Sequence, residues 1–162
     1  YRHLPSRDHL LAEIMKRCFE DFANFLDESS KSHNNDELAG MGEGYMAYAA
    51  LKPLEYRLMF GTPWPEPASH PDLVKYAVHA FDLLRHNLIN KHDKTLAGQK
   101  QAELKALFIW STLHGFATIE HSNVLQHLVL AKGVQSQARD FTMLMIQAAL
   151  VSDLVNHPEQ KK

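Results

Sequence analysis

Apolar residues along the chain recur at intervals of three and four, the spacing of one face of an α-helix. Leu10, Leu11, Ile14, Met15, Cys18, Phe19, Phe22, Phe25 and Leu26 form the first such stripe. Ser6, after Pro5, stands where an N-cap belongs, and Asp8 lies in the first turn, where the positive helix end favours it. His9 occupies the position at which a capping box would need Glu or Gln. The pattern predicts a helix from about Ser6 to Asp27, with SSKSHNNDE as a polar loop after it. LAGMGEGYMAYAALK predicts a second helix with Leu38, Met41, Tyr45 and Tyr48 or Ala49 on one side. Gly40, Gly42 and Gly44 each weaken it by roughly 1 kcal/mol relative to Ala.

Pro53 opens a short helix through LEYRLMF. GTPWPEPASHP then holds four of the seven prolines in eleven residues, which makes it a stiff loop. A further helix starts at Pro71, with Leu73, Tyr76, Ala77, Ala80, Phe81 and Leu84 as its stripe. After the connection KHDKTLAG, a long helix beginning at Gln99 is apolar on nearly all sides from Ala106 to Ile119. SNVLQHLVLAKG predicts a short helix ending at Gly133. In the last helix one face carries Phe141, Leu144, Met145, Ala148, Ser152 and Val155, and a second carries Met143, Ile146, Leu150 and Leu154. Two late helices that are apolar on more than one face need two burial partners. One is the domain's own core; the other is most simply a second copy, in a two-fold four-helix interface. No strand and no internal repeat is predicted, so the fold class is all-α.

Composition narrows the function. With 45% hydrophobic and 22% charged residues, the 162-residue chain has the make-up of one ordinary globular domain. A net charge of -2 offers no overall basic surface for nucleic acid. The single cysteine, Cys18, excludes an internal disulfide and fits a cytoplasmic location. Nothing in the pattern predicts a membrane span or a signal peptide.

Candidate chemistry is sparse. GMGEG follows no strand and lacks a Gly-Lys-Ser/Thr ending, so close helix packing or a loosened pocket helix explains it better than phosphate binding. His79, Asp82 and His86 lie at i, i+3 and i+7 on one helical face, a spacing that suits a metal ion such as zinc or nickel. Against that stands a solvated face in a histidine-rich chain. His114 and His121, also seven apart, make a weaker pair. Cys18 on an apolar stripe reads as a core residue. No Cys-His or Ser-His-Asp set assembles, which argues against an enzyme, and no motif calls for a cofactor other than that metal ion. Tyr45, Tyr48, Met59, Phe60, Trp64, Phe81, Trp110 and Phe116 are spread over five segments. They predict either a plain core or an adaptable apolar cavity with polar handles such as His114 or Tyr48.

Three motifs carry a resemblance. YRHLPSRDHLL resembles the junction in TetR-like transcriptional regulators, where a Tyr-x-His-Phe stretch closes the DNA-reading helix and a Ser-Lys/Arg-x-x-Leu-Leu stretch starts the long linking helix. Tyr1, His3, Ser6, Arg7, Leu10 and Leu11 match, with Leu4 in place of the usual Phe. AYAALKPLEYRLMFG resembles the family's Pro-x-x-Tyr-x-x-Met-Phe region. WSTLHGFATIE resembles the Trp…His-Gly core of the subgroup with a WHG-type C-terminal domain, through Trp110, His114 and Gly115.

The resemblance implies a TetR-like C-terminal helical bundle over residues 6–162, dimerising through its last two long helices, with residues 1–5 a remnant of the helix-turn-helix head. It implies a DNA-binding regulator, by family habit a repressor, whose body binds a small apolar or amphipathic effector. Implied ligand-binding residues are Tyr45, Tyr48, Met59, Phe60, Trp64, Phe81, Trp110, His114 and Phe116. Tyr1, His3 and Arg7 would lie near DNA phosphates, and Phe141, Leu144, Met145, Ala148 and Ser152 at the homodimer interface. The partners expected are therefore a second copy, operator DNA through the head, and the effector.

Overall fold

The computed structural model describes residues 6–91 and 94–152. Six helices follow in order: α1 Arg7–Ser32, α2 Glu37–Leu51, α3 Pro53–Gly61, α4 Pro71–Lys91, α5 Leu96–His121 and α6 Val134–Val151. Short 3-10 turns lie at Pro67–Ser69 and Leu125–His127, and no strand occurs among the described residues. The all-α expectation holds. No helix among the described residues is long and apolar enough to cross a membrane.

Ser6 caps α1 as its position suggests, its hydroxyl accepting from the His9 backbone N–H at 3.1 Å. The helix does not stop at Asp27, however; it runs to Ser32 through residues that read as loop. The reason is packing. Ser30 is buried, and Ser29 sits against the glycines of α2. A Cβ on Gly40 would come within 2.5 Å of the Ser29 carbonyl oxygen, and one on Gly44 within 2.6 Å of the Ser29 side chain. Gly42 faces the other way, where a Cβ would meet the Met143 methyl of α6 at 2.7 Å. Small residues on both sides let α1 and α2 approach closely, which is the packing role expected of GMGEG.

Two further boundaries shift. Thr95 caps α5, accepting from the Gly98 backbone N–H at 3.1 Å, so that helix begins at Leu96 rather than Gln99. The predicted short helix after it contracts to the Leu125–His127 turn. Gly133 then enters α6 with φ 88°, a left-handed conformation that suits glycine.

The helix α1 packs across α2, α3 and α4, and α5 lies against α2, α4 and α6. Met15, Phe19, Phe22, Tyr45, Tyr48, Met46, Met59, Leu73 and Leu88 are fully buried between them. The two-faced reading of α6 is visible in this arrangement: Met143, Ile146 and Leu150 turn inward, while Phe141, Leu144, Met145, Ala148 and Ser152 are exposed. Leu154 and Val155 lie outside the described residues. On α5, Ala102, Ala106, Ile109, Leu113 and Ala117 are buried, whereas Leu104, Leu107, Phe108 and Ile119 are exposed. Lys105, only 5% exposed, spans the α5–α6 junction and donates from Nζ to the Leu150 carbonyl at 2.8 Å.

Candidate ligand-binding cleft

Aromatic rings from five helices meet around Phe22 and Trp110. Phe22 makes edge contacts with Tyr45, Tyr48, Phe60 and Trp110 at centroid distances of 4.9–6.2 Å. Trp110 adds Phe81 at 5.5 Å and Tyr45 at 5.6 Å. Such pairs contribute about 0.5–1.5 kcal/mol each beyond area burial.

Beside it lies a three-membered polar contact. His114 Nδ1 is 2.8 Å from the Tyr56 hydroxyl and 3.1 Å from that of Tyr45, and the two hydroxyls are 3.1 Å apart. Burial pushes both phenols above their ordinary range, so both keep their protons. Burial also lowers the His114 pKa, which favours the neutral ring. Two hydroxyl protons are then available to the three atoms, and one arrangement that satisfies them has Tyr45 donating to Tyr56 and Tyr56 donating to Nδ1. Which atom donates at each contact depends on the imidazole tautomer, and Tyr56 has a further side-chain partner in Thr118.

The His114 ring borders a cleft of about 320 Å³ between the α2–α3 junction and the last turns of α5. Ala49, Tyr56, Phe60 and His114 form its inner surface, all buried or half-buried. Pro53, Arg57, Gly61, Thr118, His121 and Ser122 form the rim. The size sits at the low end of small-molecule sites. His121 is held in place by Nδ1 donating to the Ala117 carbonyl at 2.7 Å.

Of the nine residues expected to bind ligand, Phe60 and His114 line this cleft. Tyr45 touches it only through the hydrogen bonds to Tyr56 and His114. Tyr48 points elsewhere, its hydroxyl donating to Asp21 Oδ2 at 3.3 Å and to the Cys18 carbonyl at 3.4 Å. Met59 is fully buried core, and Trp64 donates to its carbonyl at 3.0 Å while packing on Phe19. Phe81 backs Trp110, and Phe116 packs half-buried against the core. Sequence reasoning passed over Tyr56. Its i, i+4 relation to Phe60 on α3, one turn after Pro53, was the available signal.

The metal reading gains no geometry. His79 and His86 are exposed on α4, and Asp82 pairs with Arg85 Nε at 2.9 Å. Among the described residues no group of three or more His, Cys, Asp or Glu stands where it could hold a metal ion. His79 and Asp82 instead border an open groove of about 650 Å³ lined by α4 alone, a helix surface rather than an enclosure. Cys18 is buried, and burial pushes its thiol up, as fits an inert core residue. Arg7 is exposed at the first position of α1; Tyr1 and His3 lie outside the described residues.

An all-α bundle with a small aromatic-walled cleft and an apolar outer face on its last two helices is the class these features define. The chain belongs to the tetracyclin repressor-like C-terminal domain family, whose sequence model matches residues 38–144. That span holds α2 to α5 and part of α6, including the whole cleft lining. Among solved structures, a protein of unknown function from Rhodococcus sp. RHA1 is similar with a TM-score of 0.66 and 19% identity, covering 90% of this chain and 77% of that one. This likeness is one of fold. No curated protein matches the sequence.

Proposed function

We propose that this domain is the effector-binding and dimerisation body of a one-component transcriptional regulator, a cytoplasmic repressor without catalytic activity of its own. The observation that carries the reading is the family match over residues 38–144 together with a cleft built inside that span. The effector enters between α3 and α5. The helix α1, which packs on α2 and α3, carries the displacement toward the operator-binding head that the opening motif implies. Arg7, at the start of α1, is placed for a phosphate contact, with Tyr1 and His3 beside it in sequence.

Dimerisation supplies the second half of the mechanism. Leu104, Leu107, Phe108 and Ile119 on α5, with Phe141, Leu144 and Met145 on α6, give an exposed apolar face that a second copy covers. Gly115 lies on the same helix, and a Cβ there would meet nothing within 4 Å inside the chain. Its smallness serves a close approach between copies. Two heads on one dimer would read half-sites about 34–36 Å apart, so a ligand acts by favouring a spacing that misfits DNA. A differential affinity of about 1–3 kcal/mol changes operator binding 5–150-fold.

The test is operator binding by the full-length gene product, measured by gel shift with and without a compound that occupies the cleft. A ligand-dependent change in affinity is expected. Identical affinities with the cleft empty and filled would end the allosteric reading.

A further inference from the structure

The cleft's electrostatics are one-sided. Arg57 lies on its rim, and among the described residues its guanidinium has no carboxylate partner, whereas Arg85 makes two ion pairs. His121 and the Thr118 and Ser122 hydroxyls share that rim, and the His114 ring lies on the inner wall. Among the described residues no Asp or Glu lines the cleft. Among the charged or titratable side chains that line the space, Arg57 is the fixed cation, and no carboxylate of the described residues stands with it. The remaining lining is apolar and ring-shaped: Tyr56 and Phe60 with Ala49 and Pro53.

We propose that the cleft takes a compact organic anion, an aryl carboxylate, with its ring between Tyr56, Phe60 and His114 and its carboxylate at Arg57. The inference rests on the cleft being the effector site and adds the chemical class of its occupant. A guanidinium left without a partner at the mouth of an acid-free pocket favours a carboxylate, because a planar fork meets a planar acceptor in two parallel hydrogen bonds. A neutral ligand would leave that match unused. A cationic one would face Arg57 with no acid to offset the repulsion. Volume suits such a ligand: about 320 Å³ admits one or two fused rings and a carboxylate.

The experiment is isothermal titration calorimetry of the purified chain with 2-naphthoate and its neutral isostere 2-naphthamide, on the wild type and on Arg57→Gln. Arg57 is exposed, and a circular-dichroism melt of the variant, run alongside, checks that it folds. Wild type should bind the carboxylate at least about tenfold more tightly than the amide. In Arg57→Gln that preference should vanish while the amide's affinity changes by less than about twofold. Rising salt should narrow the wild-type preference, as screening requires. Equal binding of acid and amide overturns the anion inference and leaves the cleft a ligand site. A preference that survives Arg57→Gln also overturns it, since the anchor is then elsewhere. Binding of neither probe overturns both this inference and the effector reading beneath it.

Discussion

His114 is the residue on which the cleft's chemistry turns, and its burial has a measurable consequence. Because burial lowers its pKa in the folded state, the unfolded chain binds the extra proton more readily as pH falls. Its contribution to stability is therefore intact above the unfolded value near 6.5 and is lost as pH drops through that value toward the lower folded one. His33 works in the opposite sense. Its pKa is raised, first by the Ser29 carbonyl and then by Glu43, but it lies on the surface. Urea midpoints should decline between about pH 7 and pH 5, and His114→Gln should flatten part of that decline. An unchanged slope would show that His114 does not titrate across folding. Tyr45→Phe, which removes one hydroxyl of the three-membered contact, should cost about 0.5–1.5 kcal/mol by the same measurement. Trp110 and His114 were legible in the sequence through the WHG-type motif they share. Tyr48 and Met59 were not separable from cleft residues, because a buried aromatic or methionine carries no mark of which neighbour it meets.

At the scale of elements, the α1–α2 seam separates two kinds of glycine. Gly40→Ala places a methyl against the Ser29 carbonyl, and a shift of backbone is needed to relieve it, at about 1–3 kcal/mol. Gly115→Ala meets open space and should raise the stability of the isolated chain by up to about 1 kcal/mol through helix propensity. Thermal melts of the two variants should move in opposite directions. A destabilised Gly115→Ala measured on monomer would remove the argument that this glycine answers to something outside the chain. Helix existence was readable throughout from the 3–4 spacing. The ends were less so: α1 runs through Ser29–Ser32 because Ser29 and Ser30 fill space beside α2, a tertiary gain that outweighs serine's weak local preference.

For the whole molecule the open question is what meets the α5–α6 face. Leu144→Glu with Ala148→Glu should give folded monomers in sedimentation velocity if a second copy covers it, since both residues are exposed within the single chain. Intact dimers would move the interface elsewhere. The same protein should then report how closely association and ligand binding are coupled, because Thr118 on the cleft rim is one residue from Ile119 on the apolar face. This face was foreshadowed by a surplus of apolar positions on two helices. A cavity was foreshadowed too, with Phe60 and His114 among its residues, but its place was not, since that depends on how α3 crosses α5, and no periodicity encodes a crossing.

The Lys105–Leu150 hydrogen bond gives the domain an internal clock. An amine buried to this degree and donating to a carbonyl at the end of α6 should be the slowest lysine to react with an amine-labelling reagent. It becomes reactive only when that last turn lifts away. Following Lys105 modification by mass spectrometry therefore times the opening of α6, and pairing between copies should lengthen that time.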